Sequence, residues 1–203
     1  MVCLQIILPQ IEPLHISAPA RCPIETCSGT TFRLHQKVVK PLRDHAYPQV
    51  IAHRYRCLTC GHTFRMYPGG VTHQPTTQRI RDLAVLLYRL GLSYGAVAEL
   101  LEAWKIYMCK SQVYKAVQST GITSKRRGNL IQELRILPLG NQPPLVRCHD
   151  VWLPIELITN ERHQMMVNLN IPDQAQVSKY QEAINSIVAT STASIRLLTK
   201  AAA

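Results

Sequence analysis

The chain has 203 residues, with 23 Lys and Arg against 12 Asp and Glu and a formal charge of +11. That length bounds it to one or two small domains, and the basic balance points to a polyanionic partner. No stretch approaches the ~18 apolar residues of a membrane helix, and the opening MVCLQIILPQIEPLH has no basic residue ahead of its short apolar run, so it does not read as a secretory signal. The expectation is a cytoplasmic, nucleoid-associated protein with no membrane partner.

Residues 1–19 read as an N-terminal extension. Residues 20–70 carry two cysteine knuckles, Cys22 and Cys27 in CPIETC and Cys57 and Cys60 in RYRCLTCGHTF. Four thiolates in two short loops are the ligand set of a structural zinc ribbon, because tetrahedral zinc takes four soft ligands and two such loops supply them without a large core. The first knuckle has four residues between its ligands where two are commoner. His35 and His62 are reserve ligands, and Gly61 fits a tight turn after the second knuckle. The competing reading, a disulfide pair or plain buried thiols, needs an oxidising compartment or leaves the spacing unused. Cys3, Cys109 and Cys148 have no partner at ligand spacing and read as small buried or half-buried residues.

Between the knuckles, TTFRLHQKVV and QVIAHRYR have the β-branched and aromatic content of strands, separated by a turn-rich patch around Pro41 and Pro48. With TFRMY after Cys60 they predict a three-stranded sheet. Arg33, Lys37, Lys40, Arg54, Arg56 and Arg65 alternate along it with Phe32, Tyr55, Phe64 and Tyr67, a mixture suited to contacting phosphate.

After PGGVTHQP the period changes from two to 3.6. Residues 76–122 read as three helices: one capped by Thr77 with Ile80, Leu83, Ala84, Leu87 and Leu90 on its apolar face, one capped by Ser93 with Val97, Leu100, Leu101 and Trp104, and one beginning at Ser111 that buries Val113, Tyr114 and Val117. Three short capped helices in this order predict a trihelical helix-turn-helix whose third helix enters the major groove. Its reading side comprises Lys110, Gln112, Lys115, Ala116, Gln118 and Ser119, of which Gln can pair with adenine and Lys with guanine. An ordinary three-helix bundle with a solvated polar face is the alternative.

Residues 123–143 read as a basic linker, with Lys125, Arg126 and Arg127 able to lie along a DNA backbone or in a minor groove. From Arg21 to Arg127 there are 17 Lys and Arg against 5 Asp and Glu, whereas the remainder holds 6 against 7. The basic excess thus lies in the segment that carries the knuckles and the helices, as a nucleic-acid-binding region requires.

The order of the CPIETC knuckle, HRYRCLTCGHTFRMYPGGV, RIRDLAVLLYRLGLSYGAVAELL and KSQVYKAVQSTG resembles the N-terminal part of bacterial insertion-sequence transposases. The resemblance covers roughly residues 20 to 125. It implies that ribbon and helix-turn-helix recognise the element's terminal repeats on double-stranded DNA, ahead of a DDE catalytic domain of ribonuclease-H fold, and that two copies pair on two element ends as a homo-oligomer. A DDE site holds two Mg²⁺ on three carboxylates.

The tail, residues 144–203, reads as LVRCHDVWLPIEL on one strand, the turn TNERH, QMMVNLNIP on a second strand, and a helix over SKYQEAINSIV capped by Asp173. Asp150 falls where the resemblance implies the first catalytic aspartate. With Asp173 assigned to the cap, Glu156, Glu161 and Glu182 are the other acids available, and none follows a second aspartate-bearing strand. The expected fold is therefore α+β: a small zinc-ribbon sheet, a trihelical helix-turn-helix, and an incomplete ribonuclease-H-like ββα segment, with Zn²⁺ structural and Mg²⁺ relevant only to a completed catalytic domain.

The function expected is sequence-specific DNA binding of transposase type without complete catalysis. A stand-alone transcriptional regulator uses the same parts. A catalytic zinc enzyme does not fit, because four cysteines close the coordination sphere and the deaminase pattern is missing.

Overall fold

The computed structural model describes residues 2–121, 128–137, 142–172, 176–189 and 196–201. Its contacts divide the chain into two compact units, one of Ile11–Gln78 and one of Met1–Gln10 with Arg79–Ala203. The first unit is thus inserted in the sequence of the second.

In the Ile11–Gln78 unit, strands β2 (Phe32–Pro41), β3 (Gln49–Cys57) and β4 (Thr63–Met66) form a three-stranded antiparallel sheet in the order β2-β3-β4. The prolines and Asp44 explain the β2–β3 connection: the Asp44 carboxylate accepts the backbone N–H groups of Ala46 and Tyr47, turning the chain locally. A bulge between Leu34 and Gln36 adjusts the register on β2. Two small clusters fill the unit, one of Ile11, Leu42, Val50 and Val71, the other of Cys22, Cys27 and Cys57 with Phe32 against them.

In the other unit, the inner four residues of β1 (Val2–Ile7) are buried, and the one polar side chain among them, Gln5, donates to Asn168 Oδ1 at 3.1 Å. This strand lies between β8 (Met165–Ile171) and β9 (Arg196–Ala201) in an antiparallel sheet of order β5-β6-β7-β8-β1-β9, completed by β5 (Ile131–Arg135), β6 (Leu145–Cys148) and β7 (Val151–Thr159). Helices α1 (Gln78–Leu90), α2 (Tyr94–Ala103), α3 (Lys110–Gln118) and α4 (Val177–Ala189) share one continuous core with it, from Leu4 and Ile6 through Leu83, Leu87, Leu100 and Val113 to Ile155, Tyr180 and Ile184.

The architecture is α+β, with four helices among the described residues and two antiparallel sheets. The tail differs from the ββα segment expected. LVRCHDVWLPIEL is not one strand: it folds back at His149 and Asp150, with Cys148 opposite Val151 and His149 at φ 54°, in the left-handed region. Stretches read as extension and linker supply β1 and β5, and the last residues supply β9. The TNERH turn forms where expected, its Asn160 side chain accepting the N–H groups of Arg162 and Gln164. Asp173 lies outside the described residues.

Candidate functional site

The four cysteines converge. The sulfurs of Cys22, Cys27, Cys57 and Cys60 all lie within 4.8 Å of one another, with Cys22 Sγ 3.7 Å from Cys60 Sγ and Cys27 Sγ 3.9 Å from Cys57 Sγ. Zinc–sulfur bonds of roughly 2.3 Å in a tetrahedron place sulfurs about 3.8 Å apart, so the set is close enough to hold a metal ion and compatible with structural zinc. The same separations are nearly twice the ~2.05 Å of a disulfide, and all seven cysteines are free thiols.

Each knuckle is shaped by its backbone. The Cys27 N–H bonds to Ile24 O at 2.9 Å and the Cys22 N–H to Gly29 O at 3.0 Å, which folds the four-residue spacer into a closed loop. Gly29 donates its N–H to Cys27 Sγ, and a Cβ at this position would lie 2.7 Å from Cys57 Sγ, so only glycine fits. The second knuckle closes through the Gly61 N–H to Cys57 O at 3.0 Å, with Gly61 at φ +74° as the tight turn requires.

The thiols are electrostatically unequal. Backbone N–H groups of Cys60 and Thr59 hold the Cys57 thiol down to about 6. The N–H near Ile24 pulls Cys22 the same way, but burial and the neighbouring thiols outweigh it and push Cys22 up to about 12. Cys27 is also raised, its Gly29 N–H being outweighed by burial and neighbouring sulfur. A bound divalent cation removes this penalty, since coordinating thiols lose their protons.

The pleat of the sheet sorts what the sequence interleaves. Residues directly opposite share a face, as do residues two apart on one strand. Tyr55 and Cys57, with Leu34, Phe32 and Phe64 opposite, lie on one face, where Phe32 and Phe64 meet edge-on at 5.5 Å. Arg54 and Arg56, with Arg33 and Arg65 opposite, lie on the other. Lys37 pairs with His53 and so falls on the aromatic side.

The helices place the predicted reading residues unevenly. Ser93 caps α2 as expected, accepting the Ala96 N–H at 3.2 Å. Thr77 directly precedes α1 and its hydroxyl donates to Asp44. Helix α3 begins at Lys110 with Cys109 as N-cap, earlier than the Ser111 start expected. Gln112 is half-buried and its side-chain oxygen accepts the Cys109 N–H, so it closes its own helix. Ala116 is buried, and Ser119 Oγ donates to Ala116 O at 2.8 Å. Lys110, Lys115 and Gln118 are exposed. Tyr114, expected in the core, is exposed and sets its ring edge-on to Tyr94, which stacks on Tyr88. Cys109 is exposed rather than buried; Cys3 and Cys148 are buried. Lys125, Arg126 and Arg127 lie outside the described residues.

Asp150 is exposed in the β6–β7 turn, not within a strand. Among the described residues the four cysteines are the one cluster of three or more His, Cys, Asp or Glu side chains able to share a metal ion. No described helix is long and apolar enough to cross a membrane.

Comparisons with protein-family models, with curated proteins and with solved structures return no match to this chain.

Proposed function

We propose that the protein is a zinc-dependent, sequence-specific binder of double-stranded DNA, of transposase type, in which α3 reads the major groove and the ribbon is held by one structural Zn²⁺. The observation that carries this reading is the outward side of α3. Lys110, Tyr114 and Gln118 recur at i, i+4 and i+8, and Ser111, Lys115 and Gln118 at i, i+4 and i+7, all exposed on a helix anchored by buried Val113 and Val117. Lys115 and Gln118 are the base readers in this arrangement, and Lys110 contacts phosphate at the helix start. The basic arm at Lys125, Arg126 and Arg127 adds backbone contacts, and Asp150 has no catalytic part. Mg²⁺ and strand transfer require carboxylates from outside the described residues.

A stand-alone transcriptional regulator is the second reading. It is favoured by the exposed turn position of Asp150 and by the lack of a carboxylate cluster among the described residues. The bound sequence separates the two: terminal inverted repeats of an insertion element, or an operator beside unrelated genes.

The test is selection of duplexes from a random pool by zinc-loaded protein, followed by binding titrations. A selected duplex held about 10³-fold or more tighter than random DNA at physiological salt supports the reading. Equal affinity for both refutes α3 as a reader.

A further inference from the structure

Four arginines stand together on one face of the three-stranded sheet. Arg33 on β2 is directly opposite Arg56 on β3, and Arg54 on β3 is directly opposite Arg65 on β4. Arg54 and Arg56 are two residues apart on the central strand, so the two like-charged pairs adjoin along it. Arg33, Arg56 and Arg65 are exposed and Arg54 is half-buried, its guanidinium donating to Thr63 Oγ1 at 3.1 Å on the same face.

No carboxylate of this unit pairs with them. Ile11–Gln78 contains three acids, Glu12, Glu25 and Asp44, and none forms an ion pair with any of the four arginines. Asp44 is occupied by the Thr77 hydroxyl and the turn it caps. Like charges directly opposite on a sheet destabilise it. The excess also reaches beyond the four: Lys40, two strands away from Arg65, is depressed from its ordinary pKa first by burial and then by the Arg65 charge.

We infer that the Arg33, Arg54, Arg56 and Arg65 face is a phosphate-contacting surface for the backbone of duplex DNA, independent of sequence and separate from α3. Arginine's planar fork suits phosphate oxygens, and each neutralised phosphate releases counterions. Duplex is favoured over single strands by the sorting of the sheet. Single-strand sites set aromatic stacking platforms beside their cations, whereas here Tyr55 and Phe64 lie on the opposite face. The ribbon thus supplies affinity and α3 supplies sequence preference. This inference rests on duplex DNA being the partner.

The experiment uses the full zinc-loaded chain and a random-sequence duplex, with affinity measured across a salt series. The double variants Arg33→Gln with Arg56→Gln, and Arg54→Gln with Arg65→Gln, are compared with Arg162→Gln, an exposed arginine in the β7–β8 turn. The expected result is at least a tenfold loss of random-duplex affinity in each double variant, a salt slope lower by about 0.9 per contacting arginine, and an unchanged preference for a selected site. Arg162→Gln leaves the slope unchanged. Wild-type slopes in both double variants overturn the inference, as does a single strand of equal length competing better than duplex. Zinc content under chelator competition is the fold control. Loss of zinc in the single variant Arg33→Gln as well as in both double variants overturns the inference too, because the arginines then offset thiolate charge. Failure to find any preferred sequence refutes α3 as a reader yet leaves the random-duplex slopes as the measure of this surface.

Discussion

Gln112 Oε1 accepts the backbone N–H of Cys109 at 3.1 Å, closing the first turn of α3 on itself. The residue that amide chemistry nominates for adenine is spent on the helix start. Gln112→Ala is therefore expected to lower stability by about 1 kcal/mol, the usual worth of a cap, while the ratio of selected to random DNA binding changes little. Lys115→Ala is expected to do the reverse, costing ~1–3 kcal/mol on the selected duplex with stability unchanged. Chemical denaturation and binding titrations on the same preparations separate the two. A Gln112 variant that loses sequence preference at wild-type stability contradicts this division.

One zinc per chain is expected by metal analysis. Removing it with a strong chelator should unfold the Ile11–Gln78 unit, since a cluster this small has little core besides the metal and apparent zinc binding in such sites is worth ~10–16 kcal/mol. Amide spectra recorded before and after chelation test this. A metal-free sample with unchanged sheet resonances rules out the structural role.

Gly29→Ala isolates the geometry of the site from its ligands. The new Cβ meets Cys57 Sγ and Thr59 Oγ1 at 2.7 Å, so the first knuckle must open. The expected outcome is at least tenfold weaker zinc retention in chelator competition, with all four cysteines in place.

The thiols outside the four-cysteine cluster differ in reactivity. The Ser111 hydroxyl, followed by the Gln112 N–H, lowers the Cys109 pKa from 9.0, whereas burial pushes Cys148 up to about 12. A lowered pKa raises the thiolate fraction at a given pH, so alkylation of Cys109 should inflect below 9 and precede Cys148 throughout. Mass spectrometry of zinc-loaded protein after timed alkylation gives the order. Cys148 reacting first at neutral pH contradicts the burial of β6.

Local features were legible in the sequence. The knuckle spacing located the four cysteines that converge, the change of period from two to 3.6 located α1 to α3, and Ser93 marked a cap that forms. Pairing over long distances was not. Val2 faces Ile171, and no local pattern in VCLQII distinguishes a central strand from a short apolar tail. The break at His149 and Asp150 was hidden because LVRC and VWLPIEL are both strand-like and the turn holds only two residues. The separation of arginines from aromatics is written in the alternation of β3, but it becomes a surface only when the register of β2 and β4 is known.

The position of β1 also sets an order of assembly on the ribosome. Its partners β8 and β9 are synthesised long after it, so at ~5–20 residues per second Val2–Ile7 waits roughly ten to forty seconds with both edges unpaired. The contiguous Ile11–Gln78 unit, which carries all four clustered thiols, is complete during that interval. If Cys22, Cys27, Cys57 and Cys60 hold zinc, nascent protein deprived of it would carry two unsatisfied segments at once, a largely apolar strand and four loose thiols, and metal supply during synthesis would then bear on yield.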